Sequence, residues 1–331
     1  IIVEGQLNFD AKLGVRMSGA VAKGTDFAQN NIGSSTDPEP LENPDAFKCN
    51  NNKELVSTQD HSTLTRLYWG DPVCQLRRDL SKYSTIRGAI YAATEVGSQY
   101  NVEMLVENYT VYYPIDIPRD NIQINLTTVS TQANPAVITR ADKNKDMFDI
   151  SSSSYLTFTR IVLDGGSTTE TQPGTGHLVH LKNAGAKLIL QADSVTGEGP
   201  TLENTNVQGS GGAVFAERGS VDMKAGTIQN NTVTTNGQAS TTAIGGGICL
   251  TDYNGGTFTM SGGEIKNNST QTDSGKESGE YLYGLGGGVY LGGNVSMTQS
   301  GGTITGNKAY KGGGVCWNSD GSISLENTPV I

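Results

Sequence analysis

Two short glycine-rich elements alternate through the C-terminal part of the chain, and no other feature narrows the possible folds as far. The first element reads GGAVFA at 211–216, GGGICL at 245–250, GGGVYL at 286–291 and GGGVCW at 312–317, with starts 34, 41 and 26 residues apart. A second element follows each of the first three copies: DMKAGTIQNN at 222–231, TMSGGEIKNN at 259–268 and TQSGGTITGN at 298–307. After the fourth comes SISLENTPVI at 322–331. Self-similarity at such periods is the signature of a stacked-repeat architecture.

Each element holds a brief alternating run around a β-branched residue: Val214, Ile248, Val289 and Val315 in the first, Ile228, Ile265 and Ile304 in the second. Period-2 alternation with such residues is strand-like. Glycines before each run and Asn-Asn or Gly-Asn after it supply the left-handed corners of sharp bends. Strand, corner and strand, repeating at two dozen residues or more, make one coil of a parallel β-solenoid. The stretches between elements, 232–242 and 270–283, are rich in Ser, Thr, Gly and Asn and are expected to leave the coils as surface loops. In this register Phe215, Cys249, Tyr290 and Cys316 share one outward position, expected to be exposed or half-exposed. Stacked coils lie about 4.8 Å apart, so Cys249 and Cys316, two coils apart, are too distant for a disulfide.

Upstream, apolar runs at 104–106, 111–113, 122–126, 137–139, 147–150, 156–163, 178–181 and 188–190 recur as irregular coils would. Ahead of them, Ile86, Ile90 and Ala93 fall at helical spacing behind Ser84 and Thr85, which predicts a short capped helix over 84–93. Such a helix would cover the open edge of the first coil. Residues 1–70 lack the repeat and read as a separate small β unit, with a boundary near Gly70 and Asp71 and the solenoid module running from 71 to 331.

Composition closes several other routes. Glycine accounts for 43 of 331 residues, nearly twice the usual share of roughly 7%. That excess disfavours helical bundles and coiled coils. No run approaches the ~18 apolar residues that a membrane-spanning helix needs. The net charge of −10 repels a polyanion, and no Lys/Arg stripe is present, so a nucleic-acid partner is not expected. The four cysteines, Cys49, Cys74, Cys249 and Cys316, form no CxxC pair, which disfavours zinc ligation by cysteine; whether Cys49 and Cys74 pair stays open.

These residues resemble the Gly-rich right-handed β-helix repeats of large bacterial cell-surface adhesin-like proteins. FTMSGGEIKNN at 258–268 and SGGTITGN at 300–307 carry the likeness, supported by AKLGV at 11–15, DAF at 45–47 and the helix at 84–93. The resemblance covers 190–331 well, 71–189 moderately and 1–70 weakly. It implies an all-β right-handed parallel β-helix with a short N-terminal capping helix, preceded by a small β unit that ends a preceding module. It also implies a secreted, tandem-repeat protein of the bacterial cell surface, in which this chain is a non-catalytic structural or adhesive segment. The implied partners are neighbouring modules of the same chain or copies of itself, and a host glycan or surface protein.

The same fold carries glycoside hydrolases and polysaccharide lyases, so an enzyme is the first alternative. A glycosidase needs two carboxylates flanking the bond, and Asp142, Asp146, Asp149 and Asp164 are the candidates. The pectin-cleaving hydrolases of this fold carry Asn-Thr-Asp, Asp-Asp, Gly-His-Gly and Arg-Ile-Lys. Here only Gly176-His177-Leu178 and Arg160-Ile161-Val162 echo them, in the wrong order and without the Asp pair. Of three histidines, His61, His177 and His180, the last two are expected on opposite faces of a strand, which gives no ready metal pair. No catalytic residue, metal or cofactor is therefore expected. A dedicated glycan- or immunoglobulin-binding module is the second alternative. It would use the aromatics Tyr281, Tyr283, Tyr290, Tyr310 and Trp317, because exposed aromatic faces stack on sugars.

Overall fold

The computed structural model describes residues 72–327 apart from 84, 167–172, 236–241, 253 and 272–283, together with the backbone of six short strands between Ile2 and Gly70. Two compact units emerge: residues 1–94 with 100–106, and residues 95–99 with 107–331.

In the first unit, Asp26–Asn30, Glu54–Gln59 and Thr65–Gly70 pair antiparallel, and Ile2–Val3 adds in parallel to Asp26–Asn30. Leu13–Val15 pairs in parallel with Phe47–Cys49. Cys74–Leu76 then pairs antiparallel with both Lys82–Tyr83 and the strand that ends at Met104. The predicted helix forms over Ile86–Ala92 and packs against Cys74–Leu76 and Lys82–Tyr83. Its N-cap is Thr85, whose hydroxyl accepts from the Gly88 amide at 3.0 Å. Ile86, Ala89, Ile90 and Ala93 are buried, the face that the spacing predicts.

The second unit is a parallel β-helix. Each coil passes through three sheets in turn, and each sheet is a stack of parallel strands. The first stack runs from Asn108–Val111 through Ala136–Arg140, Ile161–Asp164 and Thr201–Glu203 to Thr303–Thr305. The second runs from Ile115–Asp116 through Phe148–Ile150, Val179–Leu181 and Val214–Ala216 to Val315–Ser319. The third runs from Gln123–Thr128 through Tyr155–Phe158 and Lys187–Leu190 to Ile323–Leu325. Parallel strands buried behind a turn on each side are held by what stacks above and below them, so the register decides everything.

That register places like on like. Ile138, Leu163, Leu202, Ile228, Ile265 and Ile304 form one inward row. Phe148, Val179, Val214, Ile248 and Val289 form a second, and Ile124, Leu156, Leu188, Val221, Phe258 and Met297 a third. Every residue of these rows is 2% exposed or less. At about 25 cal/mol per Å2 of apolar surface, each large aliphatic in such a row contributes roughly 1.5–3 kcal/mol. Phe148 and Phe158 meet edge to face with centroids 5.3 Å apart, which ties the second and third sheets together across the core.

The corners explain the motif spelling. Gly245 has φ +67°, and a Cβ there would run into the Ile248 carbonyl three residues on. At Gly246 a Cβ would strike the Gly287 carbonyl of the following coil, so the second glycine is what lets the coils approach. In the Asn-Asn pairs the two residues have different work. Asn230 and Asn267 take left-handed φ of +56°, while Asn231 and Asn268 are fully buried. Asn231 donates from its amide and its Nδ2 to Asn268 Oδ1, at 3.1 and 2.9 Å. Asn268 donates likewise to Asn307 Oδ1, at 2.9 and 3.0 Å. Each Nδ2 also donates to a core-strand carbonyl, of Leu202, Ile228 and Ile265 in turn.

Two expectations change in detail. The apolar run 156–163 is two strands, Tyr155–Phe158 and Ile161–Asp164, split by a bend at Thr159 and Arg160. Arg160 is buried there, and its guanidinium donates to the carbonyls of Val129, Gln132 and Ala133 and meets Glu198 at 2.5 Å. The inserts are also more than loops. Asn206–Gln208, Thr232–Thr234 and Ser269–Gln271 stack as a small parallel sheet around buried Val207 and Val233, and Ala243–Ile244 pairs with Gly284–Leu285. No helix among the described residues is long and apolar enough to cross a membrane.

Candidate functional site

The outward positions of the second sheet form one continuous row: Asp116, Asp149, His180, Phe215, Cys249, Tyr290 and Cys316. Its character changes along the stack, from charged to aromatic to thiol. The row is more covered than its outward position suggests, with Cys249 fully buried and Tyr290 8% exposed. Gly211 and Gly245, at the head of their coils, fold back against the Cβ atoms of Phe215 and Cys249. Burial pushes the Cys249 thiol far above its ordinary pKa, and the Cys316 thiol upward as well. Cys249 and Cys316 are free and stand two coils apart, with Tyr290 between them. Cys74 is buried in the other unit, its thiol donating to the Thr85 carbonyl at 3.4 Å. The Cys49 side chain lies outside the described residues.

Of the five aromatic candidates, Tyr281 and Tyr283 lie outside the described residues, as does His61. Tyr290 and Trp317 border an open depression of about 550 Å3, with Ile244, Thr251, Asn318 and Asp320 around it. Trp317 is 51% exposed. It stands in register with Leu291, Leu250 and Ala216, all fully buried, and so occupies a core row at the last described coil. The Tyr290 hydroxyl accepts from Asn318 Nδ2 at 3.2 Å. Tyr310 is 44% exposed and does not line the depression.

The four candidate carboxylates separate into two kinds. Asp142 and Asp164 serve turns, accepting from the amides of Asn144 and Gly166 at 2.9 Å. Asp146 and Asp149 belong to a cluster built across three coils at the charged end of the row. Asp146 Oδ1 accepts from the His177 amide at 2.8 Å, and Oδ2 lies 2.9 Å from His180 Nδ1. Lys182 Nζ stands 2.8 Å from Asp149 Oδ2 and 3.6 Å from Asp146 Oδ2. Glu217 Oε1 is 3.3 Å from His180 Nε2. The two histidine rings are 5.4 Å apart, and Phe215 packs at 5.0 Å from each.

Electrostatics follow from this geometry. Burial pushes Asp146 up, but the His180 hydrogen bond, the His177 charge and the His177 amide outweigh it and hold the carboxyl well below the usual range. Asp149 goes the other way: its desolvation and the neighbouring Asp146 charge raise it, against the pull of Lys182. Lys182 is raised, because the Asp149 carboxylate offsets its burial. Burial holds the His177 ring down to about 4, although Asp146 draws it upward. At neutral pH the His177 ring is therefore uncharged, with Nδ1 against the Gly211 carbonyl.

Regular-strand spacing put His177 and His180 on opposite faces, and the structure brings them together. His177 precedes the strand Val179–Leu181 and lies in the bend, so strand alternation does not govern it. Asp146 likewise precedes Phe148–Ile150, which is why Asp146 and Asp149 meet around one lysine despite their odd spacing. Glu217 carries no sequence signal, since it enters from the next coil just past Val214–Ala216. The only clue in the sequence is that two of three histidines sit three residues apart at the head of a coil. Searches against protein-family models, curated proteins and solved structures find no match to this chain.

Proposed function

We propose that this chain is a length of rigid β-helical stalk in a secreted tandem-repeat protein of the bacterial cell surface. The observation that carries the reading is the unbroken register of like residues from coil to coil, with the asparagine ladder running beneath it. A solenoid of this kind gains stability by nearest-neighbour stacking and leaves its loops free to vary, which suits a spacer that holds other modules away from a wall. The net charge of −10 keeps such an array soluble and discourages lateral association. Antibodies raised to this segment are expected to label intact cells of the source bacterium, and the signal is expected to vanish after surface proteolysis. Labelling that appears only after permeabilisation overturns the reading.

One observation favours a second reading, in which the last coils also hold a ligand. The depression beside Trp317 is open and edged by polar groups, as a sugar-stacking subsite is. On a glycan array and on plates coated with mucin or immunoglobulin, this reading expects binding that Trp317→Ala abolishes. Absence of binding to all three surfaces removes it and leaves the stalk.

A further inference from the structure

We propose that Asp146, His177 and His180 form a binding site for a zinc-class divalent cation on the outer face of the β-helix. One ligand atom from each lies within 4.8 Å of the other two. Proximity alone is common in acidic clusters, and the argument rests on how the two rings are held. A metal-binding imidazole has its remote nitrogen fixed by a carbonyl or carboxylate, which sets the tautomer and aims the other nitrogen. His177 has this arrangement: Nδ1 is held by the Gly211 carbonyl, and Nε2 is left to present. His180 directs Nδ1 at Asp146, while its Nε2 is buried without a hydrogen-bond partner, 3.3 Å from the Glu217 carboxylate. Two rings from one coil, with the Gly211 carbonyl and the Glu217 carboxylate of the next coil behind them, converge on one carboxylate from the coil before.

The charges agree. Asp149 and Glu217 add negative charge nearby, and Lys182 has Asp149 as its nearer partner. An entering cation takes the place of the proton between His180 Nδ1 and Asp146 Oδ2. The ring of the bound form carries its one proton on Nε2, on the side of Glu217. Ligands at about 2.0–2.1 Å in tetrahedral geometry stand roughly 3.3 Å apart, so the three side chains need only small rotations. Phe215 walls one side, and the protein supplies three ligands with a fourth position left open, the pattern of a non-structural zinc site. Two histidines and a carboxylate suit zinc better than calcium or magnesium, which prefer oxygen alone.

This inference does not depend on the stalk reading. The test is calorimetric titration of the chelator-treated chain with zinc chloride, repeated with cobalt(II) as a spectroscopic probe. One saturable equivalent is expected, with a visible cobalt spectrum lacking thiolate charge transfer. Affinity is expected to fall at least about 10–100-fold in Asp146→Asn and His180→Gln and to be unchanged in Cys316→Ser. Absence of saturable binding, equal binding in both ligand variants, or loss in Cys316→Ser overturns the proposal. Zinc-edge anomalous diffraction from soaked crystals of the unaltered chain gives a readout that needs no variant to fold. A peak among the three side chains supports the site, and a peak only elsewhere, or none, overturns it.

Discussion

Single residues carry two kinds of polar work here, and both predict measurable losses. Asn268, itself fully buried, accepts two hydrogen bonds from buried Asn231 and donates to buried Ile228 and half-buried Asn307. Asn268→Ala leaves several of these groups unpaired, at about 1–3 kcal/mol for each buried group left so. A drop of about 3 kcal/mol in denaturant unfolding is expected, and a change below 1 kcal/mol would show that the ladder is decorative. His177 has a folded-state pKa of about 4 against an ordinary 6.5, so the unfolded chain takes up the proton first as the pH falls. Its contribution is complete above pH 6.5 and is lost progressively toward pH 4, about 3 kcal/mol in all. Asp149, raised by desolvation, opposes part of this loss in the same window. The clean observable is thus a difference: the stability of the native chain minus that of His177→Gln is expected to shrink by up to about 3 kcal/mol from pH 6.5 to 4. A constant gap across that range contradicts the assignment. The residue scale is also where the sequence says least. Asp146 and Glu217 reach His180 from coils before and after it, 34 residues upstream and 37 downstream. No spacing rule within one strand brings them together.

At the level of the coil, most of the architecture was readable. Val214, Ile248, Val289 and Val315 stand in register as their shared motif predicts, and so do Ile228, Ile265 and Ile304. The reason is physical: a glycine at each corner fixes where a strand begins, so alternation fixes which residues point inward. Where the corners lack glycine, as at Thr159 and Arg160, a buried arginine takes over the bend and the boundary disappears from the pattern. The division of the Asn-Asn pairs into a corner and a ladder residue was equally hidden, because both positions carry the same letter. Two substitutions weigh these elements. Ile265→Ala empties a core-row position that is fully buried and is expected to lose 2–5 kcal/mol, about the usual range. Gly246→Ala forces a methyl onto the carbonyls of Gly287 and Ser269. It is expected to destabilise the chain, whereas the same change at Gly197, which has open space around it, acts only through its φ of +74°. Equal effects at the two glycines would mean that coil approach is not limiting.

The whole β-helix is a stack in which every interior coil has two neighbours and the last described coil has fewer. Leu325 and Trp317 are 50% and 51% exposed although their rows are buried elsewhere. Hydrogen exchange is therefore expected to be slowest in Val179–Leu181, Val214–Ala216 and Ile248–Leu250 and fastest in Ile323–Leu325. Uniform protection along the stack would instead indicate one cooperative block. The asparagine ladder adds something that the apolar rows lack, which is a sense of direction. Every Oδ1 of the ladder accepts from the coil before it, from Thr205 at Asn231, from Asn231 at Asn268 and from Asn268 at Asn307. Hydrogen bonds aligned in series polarise one another, and a series whose side-chain oxygens all face the preceding coil has unlike ends. Two such stacks meeting by the same end would set donor against donor or acceptor against acceptor. Anything that extends this structure along its axis must therefore arrive facing one way, and a fibre grown from it would carry an arrow.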